Sequence, residues 1–566
     1  MIKFAKQFIL SILFLSLITT VTFAQTEVKE DLGSTKTETP KDWHLLDRNK
    51  TGHYGISLDK AYDFLKGRKS KQVIVAVIDS GIDTLQEDLK PILWRNPGEI
   101  PGNGIDDDKN GYVDDVYGWN FLGNKDGQNV KEDSYEGARV YWNLKEKYYG
   151  KTIDTTQMNA TEKLEYTTFL RAKGNVVDDI DPAELLMMQR LLPPLKRGDS
   201  IIMKSLGKNT YDGNDLKKYS PFAPDAKVAT SIMLDMCEMN NSFDITNNDI
   251  VAFFSGKVRK GKSSQAPPQN FRNDIVKDNY DDINDRFYGN PDVMAGTPSH
   301  GTHCSGIIGA VRDNNLGMNG IADNVRIMML RAVPDGDEHD KDIANAIRYA
   351  VDNGARVISM SFGKSFSPQK SWVDDAVKYA ASKNVLLVQA AGNDSKNNDS
   401  TFNFPSPEYL NNSGRAKNYI TVGANGDISN GGFTASFSNY GKKEVDVFAP
   451  GVGIYSTLPG GDKYGSMSGT SMAAPVVAGL GALLLQYFPD LSAEQVKYVI
   501  EKSVSPITEK VTLPGSEELV SLSEISKTGG EINAYSAVKL AATLKGDRDL
   551  DKEILPKSKI KKQKKG

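Results

Sequence analysis

The sequence predicts an α/β fold: a doubly wound, mostly parallel sheet with helices on both faces, carrying a mostly helical insertion. Three observations predict it. Apolar runs without polar alternation recur along the chain, as strands buried on both faces require. Helical patterns separate the later runs, which is the grammar of parallel crossover units. Between the first run and the rest lies a long stretch with helical patterns and no buried strand.

Taken in order, the chain begins with Lys3 and Lys6 ahead of an apolar run over 8–23 that ends in Thr22-Phe23-Ala24 before Gln25. Basic head, apolar middle and small residues at the cut read as a secretory signal peptide, 1–24, with an uncleaved anchor as the alternative. Residues 25–41 form a linker. A short helix at 58–66 precedes the buried strand 73–78, and the same grammar returns with strands at 326–330, 357–360, 385–388 and 419–422. Helices at 342–353 and 372–382 lie between them, so the α/β domain is read as 42–121 and 286–545. Residues 122–285, rich in Lys, Asp, Met and Tyr, are the insertion. Within it Asp181, Pro182 and Glu184 make a helix start, leading into 185–192, where Pro193 and Pro194 are expected to stop it. Residues 546–566 are a basic tail whose last ten positions hold six lysines and no acid, a solvated end rather than a site for an anionic surface.

Composition narrows the class. At 566 residues, 39% apolar and 25% charged, the chain is long enough for about three or four packed units and is neither disordered nor collagenous. A net charge of −4 argues against nucleic acid as a partner. Beyond the leader no apolar run spans a bilayer: the best, 475–488, is short and interrupted by Gly479 and Gly481. The mature chain is therefore expected to have no transmembrane segment and to be periplasmic or extracellular. Cys237 and Cys304 are read as two separate buried thiols, which a protein of this size does not need to pair.

Four short segments carry the chemistry. In Ala76-Val-Ile-Asp79-Ser-Gly-Ile-Asp83 an acid ends a buried strand before a Gly turn, where open α/β sheets put functional groups, although alone it could be a structural turn residue. In Ser299-His300-Gly-Thr-His303-Cys304-Ser-Gly306 two of the chain's five histidines open a small-residue helix, either for acid–base work or as a metal pair. Gln389-Ala-Ala-Gly-Asn393 sets an amide at a strand end. Ser468-Gly-Thr-Ser471-Met-Ala-Ala-Pro475-Val-Val-Ala-Gly479 opens an apolar helix with a serine, and Pro475 is tolerable in a first turn, whose N–H groups lack partners. A fifth, Asp106-Asp-Asp108-Lys-Asn110-Gly111-Tyr-Val-Asp114-Asp115, puts oxygen ligands at alternate positions before a Gly. It resembles the first half of an EF-hand loop, with Tyr117 where a bidentate Glu is usual, and is read as a calcium loop through Asp106, Asp108, Asn110 and Asp114 rather than a plain acidic one.

The four segments, in this order, resemble the subtilisin-like serine peptidases, the subtilases. The resemblance implies a subtilisin-like sheet, Ser471 as nucleophile, His300 as general base and then acid, and Asp79 as the group that holds the imidazolium. Asn393 and the Ser471 N–H would form the oxyanion hole. Ser361, Phe362 and Gly363 match the segment that pairs with an extended peptide; Ala390, Ala391 and Gly392 would wall the side-chain pocket, with Asn403-Phe404-Pro405 at its floor. Lys364 stands where the family often has a second glycine. Asp88 matches a family calcium ligand, which the loop 313–315 would complete. His303 is expected to pack structurally, and the acidic run 278–285 to be a solvated hinge. Cys304 is expected to make the enzyme sensitive to thiol reagents.

Two departures stand out. The stretch from Gln25 to Asp42 has no room for the family's usual prodomain, and Asp79 and His300 are 221 positions apart because of the insertion. Either the enzyme folds unaided or the insertion guards the site. The reading is thus a secreted, calcium-stabilised serine endopeptidase acting on peptide or protein substrates through an acyl-enzyme. The alternative is a non-catalytic peptide-binding module on the same scaffold. An esterase fits less well, because Ser471 lacks the G-x-S-x-G elbow.

Overall fold

The computed structural model describes residues 39–548 other than 180, 209, 240–242, 244 and 428–431; the leader, most of the linker and most of the basic tail lie outside the described residues. The strands are β1 (Val73–Asp79), β2 (Gly118–Asn120), β3 (Val325–Arg331), β4 (Val357–Met360), β5 (Leu386–Ala390), β6 (Tyr419–Asn425) and β7 (Val447–Pro450), then β8 (Ile454–Leu458), β9 (Lys463–Met467), β10 (Ser505–Pro506), β11 (Val511–Thr512), β12 (Leu519–Val520) and β13 (Gly530–Glu531). Nine of them form one sheet in the order β10-β13-β7-β6-β5-β4-β1-β3-β2, parallel except between β10 and β13. β8–β9 and β11–β12 are separate two-stranded sheets. This is the doubly wound, mostly parallel sheet that the apolar runs imply. β2, β7, β10 and β13 are too short or too mixed to stand out as such runs.

Alternation along β1 explains why it is apolar throughout. Val73, Val75 and Val77 pack with Ile327 and Met329 against the helices Ser299–Gly309 and Thr470–Tyr487. Ala76 and Ile78 pack with Met328 and Leu330 against the helices Asp340–Asp352 and Lys370–Ser382 on the other face. Both faces are dry, so neither can carry polar residues. The helix Thr470–Tyr487, the one described segment long and apolar enough to cross a membrane, is instead the buried centre of the first layer.

Helices dominate the region between β2 and β3: Glu136–Tyr148, Ala160–Lys173, Pro182–Leu206, Gly213–Lys217, Pro224–Met239 and Asn247–Lys262. Two small cores hold them. Met188, Leu195 and Ile202 pack with Ile232, Met233 and Phe254, while Tyr141, Tyr148 and Phe169 pack with Phe366 from the loop after β4. Asp181 caps its helix as expected, accepting from Ala183 N at 2.8 Å.

The helix does not stop at Pro193-Pro194 but runs on to Leu206. Two prolines inside a helix cost about 3 kcal/mol or more each. Burial of Leu195 and Ile202 beyond them, in the same core as Met188, works against that cost. The run 278–285 is likewise no solvated hinge at its start. Asp278 has a fully buried side chain, paired with Arg272 at 2.8 Å and Lys341 at 2.6 Å.

Candidate active site

β1 delivers Asp79 to the C-terminal edge of the sheet, buried, with its Oδ1 accepting from Ser80 N at 2.7 Å. The same oxygen lies 2.8 Å from His300 Nδ1, the second residue of the helix Ser299–Gly309. Gly301 makes the approach close: a Cβ there would stand 2.2 Å from Gly81 O and 3.1 Å from Asp79 Cβ. The His300 side chain is 37% exposed. Burial opposes its charged form, but the Asp79 carboxylate outweighs this and holds the imidazole well above its ordinary pKa.

Ser471 sits in the first turn of the helix Thr470–Tyr487. Its hydroxyl donates to Ser361 O at 3.0 Å, and the Ser361 hydroxyl donates back to Ser471 O at 2.9 Å. Cys304 ties the two helices, with Sγ 3.9 Å from His300 Nδ1 and donating to Ser471 O at 3.4 Å. Its thiol is fully buried, which pushes its pKa up. Among the described residues neither Cys237 nor Cys304 is in a disulfide.

Asn393 follows β5. Its Oδ1 accepts from Thr470 N at 2.9 Å and Thr470 Oγ1 at 3.0 Å, which orients the amide. Nδ2 and the Ser471 N lie near each other: each is 3.5 Å from where a Cβ on Gly469 would stand. Two donors on a concave edge suit an oxygen that gains negative charge.

A cavity of about 620 Å³ opens at Ser471 and is lined by Phe362, Gly363, Ala390, Gly392, Asn393 and Asn403, among others. Ala391 stands behind this wall rather than on it: its side chain is fully buried and its carbonyl accepts from Asn398, Asn403 and Asn439. Phe404 backs the segment by exchanging two backbone hydrogen bonds with Lys364. Lys364 itself is buried, bonded to Glu136 at 2.8 Å and Asp340 at 2.9 Å. Arg171, Asn175 and Asp179 also line the cavity. No sequence signal in the helical region marked them, because only the fold brings that region to the cleft.

His303 is buried with Nε2 3.1 Å from Gly465 O, and burial lowers its pKa to about 3. It is a neutral structural residue beside His300. In the acidic loop, carboxylate oxygens of Glu99, Asp106 and Asp108 lie within 4.8 Å of one another. Asn110 stands with them, donating to Asp108 at 3.2 Å. Glu99 was not among the sequence candidates, since it lies before the loop pattern begins. Asp114 departs from the expected set, its carboxylate accepting from the N–H groups of Gly102, Asn103 and Gly104. Asp88 is buried, its Oδ1 2.5 Å from Asn314 Nδ2, so the loop 313–315 does reach it.

Comparison with known proteins decides the class: the model of the subtilase family matches residues 70–522. The chain is a subtilase. A thermophilic serine proteinase from Bacillus sp. (strain AK1) is 35% identical over 331 residues, 58% of this chain and 67% of that protein. Thermitase from Thermoactinomyces vulgaris is 35% identical over 271 residues, 47% and 85% of the two chains. Subtilisin DY from Bacillus licheniformis is 38% identical over 201 residues, 35% and 67%. Among solved structures, a protease from Pseudoalteromonas arctica PAMC 21717 aligns over 88% of this chain and 97% of its own at 20% identity, with a TM-score of 0.44. As a subtilase this protein is a serine-type endopeptidase, a hydrolase whose substrates are peptides or proteins.

Proposed function

We propose that this subtilase hydrolyses peptide bonds through an acyl-enzyme, with Ser471 as nucleophile, His300 as base and acid, and Asp79 as the residue that orients His300. The observation that carries this reading is the 2.8 Å contact between Asp79 Oδ1 and His300 Nδ1 beside the Ser471 helix. A hydroxyl is a weak nucleophile near neutral pH unless a neutral imidazole takes its proton. With Nδ1–H donated to Asp79, Nε2 is left as the acceptor. On substrate arrival the Ser471 hydroxyl turns from Ser361 O to Nε2, a tightening common on going from a free site to its complex. Oγ then bonds to the substrate carbonyl carbon as its proton passes to Nε2. The carbonyl oxygen becomes an oxyanion between the Ser471 N–H and Asn393 Nδ2. His300 gives the proton to the leaving amine, and water repeats the sequence to release the acid.

Strand addition to Ser361, Phe362 and Gly363 accounts for reading backbone before side chain, with Ala390 and Gly392 beside the bound residue. Calcium belongs to the proposal. Glu99, Asp106 and Asp108 form a hard oxygen set that fits it, and Asp88 with the loop 313–315 makes a second candidate. Bound there, the ion would neutralise clustered carboxylates and brace loops, without taking part in the reaction. Export through the 1–24 leader completes the reading.

The test is cleavage of casein by the chain from Gln25 onward, beside Ser471→Ala, each with calcium and with chelator. Cleavage by the parent alone, weakened by chelator, is the expected result. Equal cleavage by both proteins would reject Ser471 as nucleophile. None from either would favour a peptide-binding module.

A further inference from the structure

The cavity at Ser471 has a wall that the α/β core does not supply. Arg171, near the end of the helix Ala160–Lys173, lines it together with Ser365, Phe402, Asn403 and Ser471. Its guanidinium is held in place from several sides. One N–H group donates to Ser365 O at 2.6 Å, and Cζ lies 3.9 Å from the centre of the Phe402 ring and 4.7 Å from that of Phe366. None of these neutralises it. Among the described residues no carboxylate forms an ion pair with Arg171, and burial, with no acid to oppose it, lowers its pKa.

The other charged groups facing this space are accounted for. Lys364 is matched by Glu136 and Asp340. Glu338 is pushed up to about 8 by burial, which leaves it mostly neutral at pH 7. Asp179, Asp394 and Lys396 also line the cavity, but they are exposed to solvent, where their charges are screened. Inside the cavity the unmatched charge is a cation, already desolvated on the faces its aromatic neighbours cover.

We propose that Arg171 makes this cavity a subsite for an acidic side chain, aspartate or glutamate, on the substrate residue whose carbonyl Ser471 attacks. The inference rests on the serine-peptidase reading above. A carboxylate accepts two parallel hydrogen bonds from a guanidinium, and a guanidinium already held in place loses little freedom on donating them. Ser365 and Phe366 follow Ser361–Gly363 closely in the chain, so the same loop that would pair with substrate backbone also anchors Arg171. A helix of the insertion would thus set specificity, with the chemistry left to the core.

The experiment uses peptides identical except for Glu, Gln, Leu or Lys before the scissile bond. Two readouts are taken: kcat/KM for the parent and Arg171→Met, and affinity of the same peptides for Ser471→Ala with and without Arg171→Met. The parent is expected to favour Glu over Gln by about 10- to 100-fold, a ratio that Arg171→Met brings to within about threefold of unity while Leu cleavage changes less than about threefold. Equal use of Glu and Gln by the parent would overturn the proposal. So would an equal loss on all peptides in Arg171→Met, which would make Arg171 a prop for Phe366 and Phe402. If the parent cleaves no peptide, the peptidase reading fails, and the Glu-to-Gln affinity ratio on Ser471→Ala still decides the subsite.

Discussion

Replacing Lys364 by Met tests how the helical region is fastened to the cleft. The Nζ of Lys364 is bonded to Glu136 Oε2 at 2.8 Å, Asp340 Oδ1 at 2.9 Å and Glu338 O at 2.7 Å, and its side chain is 1% exposed. Met keeps the length and removes the charge, leaving two buried carboxylates short of a partner. Breaking a buried pair from one side costs about 3–5 kcal/mol. Both acids keep other donors: Glu136 has Arg139 at 2.7 Å, and Asp340 has the Ser367 hydroxyl at 2.9 Å and Gln369 N at 2.8 Å. The loss should therefore sit at the lower end, about 3 kcal/mol. Its pH dependence follows from the signs. Burial works against ionised Glu136, but Arg139 and Lys364 outweigh it and hold the carboxyl well below its ordinary value of 4.5. Its contribution is thus complete above that value and fades as pH falls through the folded one. Lys364 is raised above 10.5, its acidic neighbours outweighing burial, so its contribution is complete below 10.5 and fades only at higher pH. The gap between parent and variant should be widest between about pH 5 and 10 and should narrow below about 4.5, where the variant's freed carboxylates take up protons with less loss. Urea unfolding, followed by tryptophan fluorescence in the Ser471→Ala background to stop self-digestion, measures it. A gap under about 1 kcal/mol, or one unchanged between pH 4 and pH 7.5, would refute the reasoning.

Asn393→Ala should lower kcat by about 10²- to 10³-fold with KM little changed, the size known for the equivalent amide of subtilisin itself; an unchanged kcat would remove Asn393 from the oxyanion site. Because His300 is held above 6.5, the acid limb of kcat/KM should fall above that pH; Asp79→Asn should move the limb down and cut kcat by about 10⁴-fold, which a pH–rate profile reads directly. Chelator should lower the thermal midpoint of the parent more than that of Glu99→Gln/Asp106→Asn, since saturating one site at about 100 times its Kd adds about 2.7 kcal/mol; equal responses would remove the ion from the Glu99 cluster. Cys304, buried with a raised pKa, should react slowly with thiol reagents and lose activity once modified, whereas Cys304→Ser stays active and resistant; full activity after confirmed modification would contradict this.

How much of this was legible depended on the range of the signal. β1, β3, β4, β5 and β6 were readable because burial on both faces leaves an apolar run that needs no knowledge of neighbours. β7 was hidden, since Val447-Phe-Ala-Pro450 is four residues ending in proline, and only its pairing with β6 makes it a strand. Asp79, His300, Asn393 and Ser471 announced themselves through small residues that allow close approach, as Gly301 does against Gly81. Pro193-Pro194 misled because local propensity argued for a stop while a distant apolar face held the helix together. Asp278 misled for a related reason: an acid in an acidic run reads as solvated until Arg272 and Lys341 fold over it. In the acidic loop the Asp114 carboxylate accepts from the 102–104 backbone, while Glu99, outside the alternate-position pattern, lies beside Asp106 and Asp108 and accepts from the N–H groups of Asp107, Asp108 and Asp114.

The position of β1 between β3 and β4 has a bearing on synthesis. Its two neighbours begin at Val325 and Val357, so β1, which ends at Asp79, has no partner in the sheet until Val325 and the residues after it are made. Ser471 comes later still. At about 5–20 residues per second, the interval between Asp79 and the serine helix lasts tens of seconds. Until Ser471 is made, a nascent chain holds at most the acid and the imidazole, without the nucleophile. The proposed nucleophile is thus the last of the three residues to be made.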